Sequence, residues 1–331
     1  MQIAFFEIED WEEEIIKKRL GEVYLSRETL NEDNLPQENS FEIVSVFGSS
    51  RVTEKVLAHF PNLKFLTTRS TGFDHIDLEA CKKRNIPVAY VPGYGDNTVA
   101  EFAFGLILNL TRKIYAAIDR IKETGSFRFE GLRGVDLKGK TIGVIGTGRI
   151  GREAIKIGKG FGMNVIATDI FEDKQAAAEL GFRYASLEEL LKSSDIITIH
   201  CPYTKETHHL INKGNVLSIK RGAYLVNTAR GGIVETEALV LGLQEGVLAG
   251  VGLDVLEEEV EIKEEIVSAR EKRDPEEMKV MLQDHVLMRM PNVLITPHTA
   301  FNSREAVERI LAKTLENIEG FLAGKPVNLV K

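Results

Sequence analysis

At 331 residues, 43% of them hydrophobic, the chain is long enough for two domains that each bury a core. Its net charge of -8, with no basic stripe, argues against a nucleic-acid surface, and every long apolar segment is interrupted by charge before it reaches membrane-spanning length. The N-terminus, Met1-Gln-Ile-Ala-Phe-Phe-Glu7, runs straight into acidic residues and fits neither a secretory leader nor an anchor. Cys81 and Cys201 form no disulfide framework and no metal spacing, so both are expected to be core thiols of a cytoplasmic protein that holds no metal.

In chain order, apolar runs at Gln2–Phe6, Phe41–Phe47, Leu63–Thr67 and Pro87–Tyr90 predict strands. Helical patterns at Asp10–Arg19, Thr53–His59 and Ile76–Arg84 separate them, so the first hundred residues form a parallel α/β unit. Asn97–Lys122 predicts one long helix, with Val99, Phe102, Leu106, Leu110, Ile114, Ile118 and Ile121 on one face. Phe104, Ile107 and Leu108 add a second apolar face to its first half. A helix apolar on two sides needs two partners, either a neighbouring domain or a second subunit.

A larger α/β unit starts near residue 141, with six expected strands at Thr141–Ile145, Asn164–Thr168, Asp195–His200, Ala223–Asn227, Gly250–Asp254 and Val293–Thr296. Its first strand leads into Gly146-Thr-Gly148-Arg149-Ile150-Gly151, and its second ends at Asp169, the parts of a dinucleotide site. Gly146 permits the tight turn, Gly148 lets backbone N–H groups approach a pyrophosphate, and Gly151 lets helix and strand pack closely. A carboxylate at Asp169 suits the free ribose hydroxyls of NAD and repels the extra phosphate of NADP, and Ile170 and Phe171 supply no compensating cation. Further on, Ser186-Leu-Glu-Glu189 reads as a capping box opening Leu187–Lys192. The stretch Glu257–Lys279 is densely charged in both signs and reads as a solvated helical insertion. Ser303–Leu322 predicts a final amphipathic helix that crosses back onto the first domain. The expected division is therefore a discontinuous domain of 1–97 with 301–331, and a nucleotide-binding domain of 98–300.

Ligands of open parallel sheets sit beyond the carboxyl ends of the strands, and three polar groups of the larger unit fall there. Arg230 follows one strand, Glu259 the next and His298 the last. An arginine, a carboxylate and a histidine at successive strand ends supply an anion clamp, a base and a group that orients the base.

Four ordered motifs then make a resemblance specific: Val144-Ile-Gly-Thr-Gly-Arg-Ile-Gly151, Asn227-Thr-Ala-Arg-Gly231, Leu253-Asp-Val-Leu-Glu-Glu-Glu259 and Thr296-Pro-His-Thr-Ala300. Along essentially its whole length the chain resembles the D-isomer-specific 2-hydroxyacid dehydrogenases. In Pro297-His-Thr-Ala-Phe301, Thr168-Asp-Ile-Phe171 and Arg69-Ser-Thr-Gly-Phe-Asp-His-Ile-Asp77 it is most similar to the NAD-dependent D-lactate branch.

The resemblance implies two doubly wound parallel-sheet domains, a Rossmann NAD-binding domain and a smaller flavodoxin-like substrate domain. It implies a small 2-keto or 2-hydroxy acid as substrate, NAD as cofactor, and a homodimer formed through the NAD-binding domain. Arg230 would hold the substrate carboxylate and polarise the C2 oxygen, while His298 would donate a proton to that oxygen and take it back in the reverse direction. Glu259 would hydrogen-bond the other imidazole nitrogen, the family pattern selecting it over its neighbours Glu257 and Glu258. Ser70, Thr71 and Gly72 match a loop whose N–H groups bind the carboxylate, and Tyr94 and Phe301 match positions that close over the substrate. Arg149, Ile150, Thr228, Ala229 and Asp254 match residues that contact the cofactor.

Two features depart from the D-lactate pattern. Many of those enzymes carry a tyrosine near the cleft mouth where this chain has Phe47-Gly48-Ser49-Ser50, leaving room for a bulkier acid at Ser49. The Glu259 to His298 segment is also long. Pyruvate is thus the first expected substrate, with 2-ketoisocaproate, phenylpyruvate, glyoxylate and hydroxypyruvate as alternatives. A non-enzymatic NAD-sensing corepressor on the same fold is the alternative from another class.

Overall fold

The computed structural model describes residues 1–257 and 275–330. The chain forms two compact units, Met1–Tyr94 with Ser303–Lys331, and Gly95–Asn302. Each is built on its own parallel sheet.

In the first unit, β1 (Ile3–Phe5), β2 (Tyr24–Leu25), β3 (Ile43–Val46), β4 (Phe65–Thr68) and β5 (Val88–Ala89) lie in the order β2-β1-β3-β4-β5. That is the doubly wound flavodoxin order. One face is covered by Leu57, Phe60 and Cys81, the other by Ile16 and by Leu311, Leu315 and Ile318 of the final helix, Arg304–Leu322. This helix opens at Ser303, whose hydroxyl accepts from Ala306 N at 3.2 Å. Its return to the first sheet makes the unit discontinuous. The two-residue strand β2 has too few residues to show the period-2 signal and was not among the sequence-predicted strands.

The second unit holds β6 (Thr141–Ile145), β7 (Asn164–Thr168), β8 (Arg183–Tyr184), β9 (Ile196–Ile199), β10 (Ala223–Asn227), β11 (Leu248–Leu253) and β12 (Val293–Ile295). Their order, β12-β11-β10-β9-β6-β7-β8, is all parallel and reverses direction between β6 and β9, the topological switch point. Among the described residues seven strands replace the six expected, because the short edge strand β8 again carries no readable period. Leu190 and Ile197 lie in the core on one face of this sheet, and Ala103, Phe104, Ile107 and Ile155 in the core on the other. Burying each of these leucine, isoleucine or phenylalanine side chains contributes about 1.5–3 kcal/mol.

The expected long helix is instead two, Asp96–Arg112 and Ile114–Thr124, divided at Lys113 in a left-handed conformation (φ 52°). The cause lies in the returning chain. Val135 N donates to Thr111 O at 2.9 Å, taking the carbonyl that an unbroken helix would offer to residue 115. Gly134 comes so close that a Cβ there would sit 2.3 Å from the same oxygen. The first helix is buried along much of its length, whereas the second has no buried residue.

The capping box at Ser186 is half formed: Ser186 Oγ accepts from Glu189 N at 3.2 Å, but the Glu189 carboxylate pairs with Arg183 at 2.7 Å. Glu257, expected at the start of a solvated insertion, is mostly buried and paired. Residues 258–274 of that insertion, Glu259 among them, lie outside the described residues, and Pro275–Met288 is a helix.

Candidate active site

The glycine turn after β6 has the geometry its sequence requires. Gly146 is left-handed (φ 94°), and a Cβ there would meet Cys201 N at 2.6 Å. At Gly151 a Cβ would lie 2.0 Å from Gly146 O, so only glycine allows the helix Arg149–Gly160 to pack this tightly on the turn. Gly148, the helix N-cap, differs from both: a Cβ there would meet nothing within 4 Å. Open space before unpaired helix N–H groups is what a pyrophosphate needs. Arg149 is exposed and Ile150 half-buried in the first helical turn.

Asp169, one residue past β7, accepts from Thr147 N at 2.6 Å, Thr147 Oγ1 at 3.0 Å and Phe171 N at 2.9 Å. Partial burial opposes its ionisation, but these hydrogen bonds outweigh it and hold the carboxyl below its ordinary range. Thr147 Oγ1 also meets Tyr184 Oη at 2.9 Å, so β8 braces the acid through the turn. Across the sheet, the Thr228 hydroxyl is buried and has no partner among the described residues. An orphaned hydroxyl, an open glycine at a helix N-terminus and an ionised strand-end acid together fit a dinucleotide such as NAD.

At the ends of β10, β11 and β12 the chain makes three tight loops. After β10, Asn227 Oδ1 accepts from Ala229 N at 3.0 Å and Asn227 Nδ2 donates to Arg230 O at 2.8 Å, fixing the half-buried Arg230. Gly231 is obligatory there, since a Cβ would fall 1.9 Å from Leu256 O. After β12, His298 is left-handed (φ 53°), with its ring edge-on to Phe301 at 6.4 Å. Asp254 holds this turn: its buried carboxylate accepts from Thr296 Oγ1 at 2.6 Å, Thr299 N at 2.9 Å and Ala300 N at 2.8 Å. Burial pushes the Asp254 carboxyl up, against the pull of these donors and of the nearby His298. Asp254, matched by resemblance to a cofactor contact, has its carboxylate engaged in the His298 loop.

Of the three consecutive glutamates, Glu257 is committed elsewhere. Its carboxylate accepts from Thr236 N at 3.0 Å and Thr236 Oγ1 at 2.8 Å, and pairs with His209. It thereby caps the helix Thr236–Gln244. No sequence rule marked this role, because an acid distant in sequence supplies the cap.

In the smaller unit, Ser70, Thr71 and Gly72 follow β4. Their side chains are tied inward, Ser70 Oγ to Gly72 O at 2.6 Å and Thr71 Oγ1 to Val91 O at 2.7 Å. Among the described residues, the backbone N–H groups of all three meet no acceptor. Tyr94 closes the first segment of this unit, its carbonyl accepting from Arg309 Nε at 2.6 Å. Phe47 stands half-buried right after β3 and Ser49 is exposed, so an aromatic ring does occupy the end of this strand. Burial pushes both thiols, Cys81 and Cys201, up to about 11, which leaves them protonated at neutral pH. Among the described residues, no helix is long and apolar enough to cross a membrane.

Residues 104–300 match the family model described as D-isomer specific 2-hydroxyacid dehydrogenase, NAD binding domain. The chain is 36% identical to a D-lactate dehydrogenase of Escherichia coli over 303 residues, covering 89% of this chain and 88% of the other. It is 39% identical to an aromatic 2-oxoacid reductase of Clostridium sporogenes over 284 residues, 84% of this chain and 82% of the other. Its structure is similar to that of a D-lactate dehydrogenase from Aquifex aeolicus complexed with NAD and lactic acid, with a TM-score of 0.87, 36% identity, and coverage of 98% and 96%.

Proposed function

This chain belongs to the D-isomer specific 2-hydroxyacid dehydrogenases and is an NAD-dependent enzyme of that family; on that premise we propose that it reduces pyruvate to D-lactate, reversibly. NAD, when bound, supplies the hydride chemistry. Arg230 holds the substrate carboxylate, where its planar fork matches two oxygens and its charge polarises the neighbouring ketone. His298 gives its proton to the ketone oxygen and recovers it in the oxidation direction. Glu259 orients that imidazole, and the three N–H groups of Ser70–Gly72 act as donors to a carboxylate. Asp254 acts through His298, as a positioning residue.

The observation that carries this reading is the His298 turn. A histidine in the left-handed region is uncommon, and here both oxygens of a buried carboxylate hold it there. The kinship with an aromatic 2-oxoacid reductase supports a second reading, in which phenylpyruvate or 2-ketoisocaproate is reduced as well as pyruvate. NADH oxidation with pyruvate, glyoxylate, 2-ketoisocaproate and phenylpyruvate, followed by chiral analysis of the product, tests both. A D-hydroxy acid is expected. An L-product sinks the assignment of roles, and turnover ranked toward the aromatic acid replaces the first reading with the second.

The same reading includes a homodimer through the larger unit. Helix Ile114–Thr124 exposes Ile114, Ile118 and Ile121, spaced four and three apart on one face, with Tyr115 next to Ile114. An apolar stripe of that kind suits the same helix of a second copy.

A further inference from the structure

The turn after β3 is organised around a single carboxylate from another strand. Glu7, two residues past β1, accepts from Phe47 N at 2.9 Å, Ser49 N at 3.0 Å and Ser50 N at 3.1 Å, and from the Ser50 hydroxyl. Three N–H groups converging on one point make an anion nest, and here the chain fills it with its own side chain. Glu7 itself is left-handed (φ 57°), a conformation that a non-glycine residue keeps only where its surroundings over-determine it. The Ser50 hydroxyl in turn accepts from Leu30 N at 2.9 Å.

Arg69 joins this turn to the next loop. It is 1% exposed, donates from Nη2 to Phe6 O at 2.9 Å and to Glu7 O, and lies over the Phe47 ring at 5.5 Å. Its Nη1 has no hydrogen-bond partner among the described residues. Nearby Glu12, itself buried, supplies opposite charge. Arg69 immediately precedes Ser70–Gly72. One buried guanidinium therefore touches the chain leaving β1 and the chain leaving β3, and begins the loop leaving β4.

We infer that Glu7 is a positioning residue for substrate side-chain selectivity: its carboxylate is the template on which the Phe47–Ser50 turn sets, and Arg69 ties that turn to the Ser70–Gly72 loop. This rests on the proposed role of Ser70–Gly72 in holding a carboxylate and on the place beside the substrate side chain that the family resemblance gives to Phe47–Ser50. The charge matters because a glutamine would keep the length but turn an amide N–H₂ toward groups that are themselves donors. A loosened turn would disturb the substrate side chain most, because Arg230 and His298, which Glu7 does not touch, keep their proposed hold on the carboxylate and the ketone.

The test compares the full-length protein with Glu7→Gln, using NADH and three acids graded by side chain: glyoxylate, with only hydrogen, then pyruvate, then phenylpyruvate. The ratio of kcat/KM for phenylpyruvate to that for glyoxylate should change by about 10-fold, a typical value for reshaping a side-chain pocket, and the change should fall in KM. The NADH dissociation constant, read by fluorescence, should not move. Glu7→Asp should restore part of the ratio. A ratio within twofold of the parent, or an equal loss on all three acids, overturns the inference. Should Glu7→Gln not fold, Ser50→Ala removes one donor and keeps the carboxylate; the ratio should shift in the same direction, and an unshifted ratio overturns the inference. A parent enzyme inactive on all three acids overturns the functional reading and this inference with it.

Discussion

Thr147 donates both its backbone N–H, at 2.6 Å, and its hydroxyl, at 3.0 Å, to the carboxylate of Asp169, so the glycine turn and the acid at the end of the next strand form one bonded unit. The acid is held ionised at a fixed place, where it can accept from ribose hydroxyls and repel a phosphate. NADH should be preferred strongly over NADPH. Asp169→Ser should narrow that preference from both sides, weakening NADH binding by about 1–3 kcal/mol and relieving the repulsion of NADPH. Dissociation constants for the two cofactors, measured by fluorescence quenching, check this; equal affinities in the parent protein would refute it.

His298→Gln removes the proposed proton donor but keeps a polar side chain on the turn that Asp254 holds. The expected loss is about 10²- to 10⁴-fold in kcat, with NADH affinity unchanged. Single-turnover kinetics beside a binding titration separates the two effects. A fall in NADH affinity to match the fall in kcat would point to collapse of the loop and not to loss of a proton donor.

His200 follows β9, its Nε2 meeting Thr198 Oγ1 at 2.9 Å, and burial pushes its imidazole down to about 4. The folded protein thus resists a proton that the unfolded chain accepts near pH 6.5. Stability should be intact above that pH and should fall as pH drops from about 6.5 toward about 4, by as much as ~3 kcal/mol from this group alone. His200→Asn should flatten that part of the acid limb. Thermal melts from pH 7 to pH 4.5 read it directly, and parallel limbs in parent and variant would remove His200 as the cause.

Ile118 sits in the middle of the exposed stripe of helix Ile114–Thr124, 47% exposed. Ile118→Lys places a charge where a second copy would bury it, so the protein should shift from dimer to monomer in light scattering at micromolar concentration. Its thermal stability as a monomer should change little, since the residue has few contacts to lose. A parent that is already monomeric contradicts the proposed dimer.

Much of this molecule was legible in the sequence because its signals are local. Gly146, Gly148 and Gly151 announce a turn, an open helix N-terminus and a close approach within six residues, and the β6–β7 repeat of apolar runs needs no distant partner to be read. Arg230 and His298 were likewise readable, as polar residues following buried strands. What sequence could not decide is where distant groups meet. The Asn97–Lys122 pattern predicted one helix, yet the break at Lys113 comes from Val135, which takes the Thr111 carbonyl only once the chain has folded back. Glu257 sits beside Glu259 in an acidic run, but its bonds to Thr236 and His209 make it a helix cap. Glu7 carries no motif at all; it became a template because three N–H groups from a loop forty residues away converge on it. Every residue but proline carries the same backbone N–H donor, so only the tertiary structure decides which carboxylate it finds.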